Sequence, residues 1–304
     1  MSTKNSAACL DNCKYPITII QPHPKHVTEL RNLWKEAFGD SDEFLDLFFS
    51  TAFAPERCLC ILSENKIAAA LYWFECEYEK HPLAYIYAVA TAKVYRGQGF
   101  CQQLLKATHS LLKQQGYIGA LLVPGSEALF DFYKKAGYQT TCCHHTYRFD
   151  LSTSKKENSA TPQTASMVSL KAASNASIKE LSALEYASLR KNFLPAKSIL
   201  QEKENISFLQ TQLKFYTGEN FLAAVYILEE TVHCPEFLYT NVFSTKNIQP
   251  DNPHVQIQME QLLSYLNCTN GVFCLPGGTS PFAMYYPLND SIQKAPQYFA
   301  FAYN

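Results

Sequence analysis

The sequence has no long apolar run. Its longest clean apolar stretch is Ile67–Phe74, far short of the roughly 18 residues that span a bilayer as a helix. Met1–Lys14 is polar and holds no apolar core of the kind that opens a secretory leader. Charge is also scarce, at 17% Asp, Glu, Lys and Arg. An average soluble chain carries about 25%, and a chain this poor in charge is not disordered over most of its length. Lysine and arginine number 26 against 27 acidic residues, a net charge of -1. Nothing in that balance draws the chain to nucleic acid or anionic lipid, so neither is expected as a partner. Cysteine is plentiful, at 11, but no two form a C-x-x-C pair. An odd count in irregular spacing does not read as a disulfide framework. The expectation is a cytoplasmic protein whose reduced thiols are buried as small hydrophobes. Cys142, Cys143, His144 and His145 are consecutive. Neighbours on a strand point to opposite faces and do not converge on one ion, so no metal is expected.

What is present is apolar mass. With 47% hydrophobic residues in 304, the chain can bury two cores of ordinary domain size. A strand over residues 16–23 precedes a helix opened by Pro24, with Leu30, Leu33 and Trp34 at helical spacing. Ser41 can cap a second helix. Residues 58–62 and 66–75 read as a hairpin, and 83–91 as a further strand. Residues 100–115, ended by Gly116, and 126–135 read as helices, with a strand over 118–123 between them and extended chain over 138–149. Residues 151–167 have the Ser-, Thr- and Lys-rich composition of a linker. The domains are therefore expected at 1–150 and 168–304. Sliding the second half by 152 positions sets Gly119 on Gly271, Pro124-Gly125 on Pro276-Gly277, Phe130 on Phe282 and Tyr133 on Tyr285. That register suggests a duplication.

The strongest local signal is Tyr85–Leu105, a strand, a tight loop holding Gly97 and Gly99, and a helix. Helix N-termini carry unpaired N–H groups and partial positive charge, so they attract anions. Glycine lets the backbone come close to a phosphate, and Arg96 adds a fixed charge. The loop lacks the third glycine of a dinucleotide fingerprint and the Gly-Lys-Ser/Thr of a P-loop. By itself it is equally a plain strand-to-helix turn.

Two motifs together decide between these readings. Arg96-Gly97-Gln98-Gly99-Phe100-Cys101 resembles the Q/R-x-x-G-x-G/A loop of the GCN5-related N-acetyltransferase (GNAT) family, with Cys101 at the last small position. Tyr133-Lys134-Lys135-Ala136-Gly137-Tyr138 is similar to the Tyr-x-x-x-Gly-aromatic pattern that ends the family's next helix. Ser126 stands where many members carry Asn. The resemblance covers the first half of the chain. It implies the acyl-CoA N-acyltransferase fold, an α/β architecture whose mixed, mostly antiparallel sheet is flanked by helices. The internal repeat extends this to two tandem copies.

The resemblance also implies acetyl-CoA as co-substrate, without a metal, and a splayed pair of parallel strands around its pantetheine arm. Val89 and Thr91 would offer backbone groups to that arm, and Arg96, Gly97, Gln98, Gly99, Phe100 and Cys101 amides to the pyrophosphate. Ser126 would lie at the same cofactor site. Tyr133 would be the general acid that protonates the departing thiolate. The acceptor is a primary amine on a small molecule or peptide, and its base is not evident. Glu75 and Glu77 alternate on one strand face. Either could act as base or attract a cationic acceptor, with Tyr85 and Tyr87 expected to face the same cleft. An exposed acidic edge is the simpler account of either one taken singly. The second half sets Gln249, Pro250 and Asp251 against the loop glycines, and so reads as a degenerate copy without CoA binding. A non-catalytic acyl-CoA-binding or protein-interaction module on the same fold is the competing function. Homo-oligomerisation stays open.

Overall fold

The computed structural model describes residues 16–151, 178–240, 252–289 and 294–302. The expected linker, apart from Leu151, lies outside the described residues, as do Cys9, Cys13, Gln249, Pro250, Asp251 and Tyr303. The described chain forms two compact units, each assembled from more than one stretch. The first takes the residues up to Gln139 together with Lys203–Phe208 and those of 284–295. The second takes those of 140–202, Leu209–Ala283 and those from Pro296 onward.

The first unit opens with β1 (Ile17–Ile20), α1 (Val27–Phe38) and α2 (Asp42–Thr51). Leu30, Leu33 and Trp34 form the buried stripe of α1, and Gly39 ends it in the left-handed conformation. The Ser41 hydroxyl accepts from the Phe44 amide and caps α2. Strands β2 (Cys58–Ser63), β3 (Lys66–Tyr78) and β4 (His81–Thr91) follow as a meander. Its two tight turns place Glu64-Asn65 and Glu79-Lys80 at positive φ, the geometry of two-residue hairpins. Then come α3 (Phe100–Gln114), β5 (Gly119–Leu122) and α4 (Glu127–Lys135). In the sheet, β1, β2, β3 and β4 are antiparallel neighbours, β5 lies parallel to β4, and Met284–Pro287 pairs antiparallel with β5. Phe100, Leu104, Leu105 and Leu112 of α3 bury against Leu71, Trp73, Ala84 and Ile86.

The second unit repeats this order of pairings. It contains β6 (Gln139–Asp150, from Thr140), β7 (Lys179–Leu181), α5 (Ala183–Phe193) and the short β8 (Leu200–Gln201). Beyond α6 (Glu204–Leu209) come β9 (Lys214–Thr217), β10 (Phe221–Leu228), β11 (Thr231–Tyr239), α7 (Pro253–Tyr265) and β12 (Asn270–Pro276). Strand β13 (Ser280–Pro287) closes the series. Here β7, β9, β10 and β11 are antiparallel, β12 is parallel to β11, and β6 closes antiparallel on β12. Each unit thus takes its sixth strand from the other half of the chain. The β10–β11 turn again places two residues at positive φ, here Glu229-Glu230.

Two expectations change. The ungapped repeat pairs Tyr285 with Tyr133, but Tyr133 lies on a helix and Tyr285 on β13. The chain turns from β12 through Pro276-Gly277-Gly278 straight into β13, so it has no counterpart of α4 there. The sequence also reads as a C-terminal strand over 297–303, of which 297–302 are described. They form only an isolated bridge between Ser198 and Tyr298.

Candidate active site

The site grows from one irregularity in β4. The β3–β4 register runs from Tyr72↔Tyr87 to Ala70↔Ala90, so Ala88 and Val89 stand against the single residue Leu71. This is a β-bulge, and Ala88 adopts φ 48° within it. The β4–β5 pairing covers only Leu83↔Gly119, Ala84↔Ala120 and Tyr85↔Leu121. Strand β4 then continues to Thr91 without β5 beside it. The two parallel strands part there, and the loop before α3 lies at the open end.

That loop has the conformation an anion site needs. Gly97 and Gly99 sit at φ 74° and 76°, where a Cβ would strain the backbone. Gly99 is the N-cap of α3, with no side-chain cap and no acid in the first turn. The first amides of α3 therefore have no helical acceptor. Arg96 Nε donates to the Thr91 carbonyl at 3.1 Å, which holds the guanidinium at the end of β4. Gln98 Nε2 donates back to Val94 O at 3.3 Å.

A groove of about 650 Å³ follows this loop and is lined by Val89, Thr91, Arg96, Gly97, Gly99, Phe100 and Cys101. Seven of the residues singled out from the sequence are thus brought together. Gln98 is bound into the loop instead, and Ser126 is the exposed N-cap of α4, outside the lining. The sequence reading missed the opposite wall, formed by Ala37, Phe38, Leu129 and Phe132. Phe38 is 47% exposed and Leu129 37%. Both continue an apolar helical stripe, so spacing alone assigns them to the core.

Tyr133 is buried on α4, with its ring edge-on to Phe132 and Tyr138. Its hydroxyl makes no hydrogen bond to the described residues, whereas the Tyr138 hydroxyl meets His109 Nε2 at 2.7 Å. Burial, with the Cys101 thiol nearby, pushes the Tyr133 hydroxyl well above the usual phenol range. Burial also pushes the Cys101 thiol up to about 11, so it stays protonated. His109, in the middle of α3, is half-buried and stacked on Tyr286 at 4.1 Å.

Glu75 and Glu77 do not reach the groove. Both are exposed near the β3–β4 turn, and Glu75 stands opposite Ala84. Val89 lies about 17 Å further along β4 at the rise of an extended strand. Tyr85 and Tyr87 pair with Phe74 and Tyr72, and directly opposed residues share a face. The tyrosines therefore face away from the glutamates, towards α1 and α2, where Tyr87 packs on Trp34 and Phe48. Among the described residues no group of three or more His, Cys, Asp or Glu side chains is placed to hold a metal ion. No helix among them is long and apolar enough to cross a membrane.

Comparison with known proteins bears on the fold. Residues 18–141 match the model of the acetyltransferase (GNAT) domain. No curated protein matches the chain. Among solved structures, the GCN5-related N-acetyltransferase from Anabaena variabilis superposes with a TM-score of 0.65 at 15% identity, over 90% of this chain and 73% of that one. That from Kribbella flavida gives 0.62 at 11% identity, over 88% and 70%. Eis1 from Mycobacterium abscessus gives 0.61 at 10% identity, over 90% and 74%. The chain carries the GNAT acetyltransferase fold in a structurally duplicated, tandem architecture, and the family's domain model matches it over residues 18–141.

Proposed function

We propose that the protein is an acetyl-CoA-dependent N-acetyltransferase that acts on a primary amine. The observation that carries this reading is the groove itself, where parted parallel strands, two left-handed glycines and the uncapped N-terminus of α3 meet. The amides of residues 97–101 and the Arg96 guanidinium suit a pyrophosphate. The free edge of β4 at Val89 and Thr91 suits the amide groups of a pantetheine arm. Acetyl-CoA supplies the activated acetyl thioester.

The chain's contribution is to hold that thioester against the amine and to manage protons. The amine nitrogen attacks the thioester carbonyl, the C–S bond breaks, and the sulfur leaves as a thiolate. Tyr133 is the group we assign to that sulfur. Burial keeps its O–H protonated at physiological pH, and its hydroxyl has no hydrogen-bond partner among the described residues. It donates as negative charge develops on the leaving atom. The nitrogen's proton leaves through solvent, since the groove lining includes no Asp, Glu or His.

That same lack of a base favours the second reading, a non-catalytic acyl-CoA-binding module. Thermal unfolding with acetyl-CoA, and with NAD and ATP as controls, tests the donor site. A ligand at 100 times its dissociation constant stabilises by roughly 2.7 kcal/mol, a shift of several degrees. A shift given by acetyl-CoA alone supports both readings, and turnover on an amine panel then separates them. No shift at millimolar ligand removes both.

A further inference from the structure

A second groove, of about 700 Å³, runs along α3 in the first unit. Its walls carry Lys106 and Lys113 from α3 and Lys135 from the end of α4. All three are exposed, none enters an ion pair among the described residues, and the lining includes no acid. Lys113 and Lys135 lie in the last turns of their helices, where the dipole favours a cation. Lys106 is mid-helix and has no such reason to be there. The rest of the lining carries no Lys, Arg, Asp or Glu. His109 stacks on Tyr286 at 4.1 Å, and burial pulls its pKa down to about 4, so it is neutral at physiological pH.

We propose that this groove docks an extended acidic peptide segment of a partner protein. The lining reaches from Gln102 to Lys113, about 16 Å along the helix, the span of about five extended residues. Lys106 and Lys113 stand seven residues apart on one face, about 10 Å along the axis. They match carboxylates spaced along a chain, with the His109–Tyr286 pair beneath its intervening side chains. The overall charge of -1 makes this a local patch, so the groove can select an acidic strand without drawing in polyanions generally. This inference does not depend on the acetyltransferase reading.

The test is fluorescence anisotropy of the full chain with a labelled peptide of alternating Glu and Ala, against a Gln-for-Glu control. The acidic peptide should bind and the control should not. The double variant K106Q/K113Q should bind at least about tenfold more weakly, and added salt should weaken the wild type. Both proteins should keep the same unfolding midpoint. The K135Q variant gives an independent reading of the other wall and should also weaken binding. Equal affinity in wild type and variants overturns the proposal, as does no binding at low salt. Displacement of the peptide by millimolar inorganic phosphate assigns the groove to a small anion and overturns it. Tighter binding of a single-stranded oligonucleotide or of phosphatidylserine vesicles than of the peptide also overturns it. The acetyl-CoA thermal shift, measured on the same samples, keeps failure here separate from failure of the donor site.

Discussion

In the first unit the parallel strands part after Tyr85↔Leu121, and in the second after Cys234↔Phe273. Two residues beyond each last pair stands a buried side chain on the same strand. In the first unit it is Tyr87, packed among Trp34, Phe48 and Phe74. In the second it is Glu236, wholly buried with Arg190. Arg190 Nε and Nη2 grip the carboxylate at 2.7 and 2.9 Å. The Tyr186 hydroxyl donates to one of its oxygens, and the Tyr298 hydroxyl to the other at 3.0 Å. Arg190 also lies over the Phe301 ring. The same strand order thus tolerates an aromatic cluster or a charge network at one position. The frame depends on backbone pairing and on apolar alternation along the strands. What the frame can bind depends on features outside it. The first unit has the glycine loop and α4, and the second turns from β12 directly into β13.

The largest expected effect concerns the two tyrosines that the repeat sets in register. Tyr133→Phe should lower turnover by about two to four orders of magnitude while acetyl-CoA still raises the unfolding midpoint. Tyr285→Phe should leave turnover unchanged, because its hydroxyl only meets the Ile118 carbonyl at 3.4 Å. Equal losses in the two variants would restore the simple repeat.

Next comes the charge network. Glu236→Ala strands Arg190 in the interior and should cost about 3–5 kcal/mol in urea unfolding, whereas the apolar double replacement R190M/E236L should recover most of it. Tyr87→Phe, at the matching place in the first unit, should cost far less because no buried charge loses its partner.

His109 has an effect of similar size with a pH signature. Burial lowers its folded pKa to about 4, while the unfolded form titrates near 6.5. Its contribution is complete above the unfolded value. It is lost as pH falls from about 6.5 to about 4, because the unfolded chain takes up the proton first; the loss reaches about 3 kcal/mol. His109→Gln should flatten that acid limb in urea midpoints taken across this range.

The smallest effects separate two kinds of glycine. A Cβ on Gly119 would meet Tyr285 Cε2 at 2.2 Å, so Gly119→Ala should cost about 1–3 kcal/mol and spare acetyl-CoA binding. Gly97→Ala meets no atom and should cost only about 1 kcal/mol through its positive φ, yet weaken acetyl-CoA binding in a calorimetric titration. If Gly97→Ala leaves that binding intact, the loop is an ordinary turn.

Much of the first unit was legible because its signals are local. Ser41 caps, Gly39 and Gly116 stop helices, and Gly97 and Gly99 mark backbone that must turn left-handed. The failures needed a partner strand. Glu75 and Tyr85 look alike by odd-numbered alternation, but the two-residue turn at Glu79-Lys80 pairs Tyr78 with His81 and Glu75 with Ala84. Residues that share a face across this hairpin therefore have opposite parity. The ungapped repeat carried Tyr285 onto Tyr133 because sequence identity at Pro-Gly and aromatic positions does not report whether a helix or a strand follows.

Sequence alone was enough for the local elements of the first half and for the glycine loop, since these follow from propensity, capping and periodicity over a few residues. Only the tertiary structure decided three further things. These are the exchange of sixth strands between the halves, the face on which Glu75 and Glu77 lie, and the gathering of Val89, Arg96, Cys101, Phe38 and Leu129 around one groove. Each depends on which distant backbone a strand finds to pair with, a choice made by burial and register across the whole sheet.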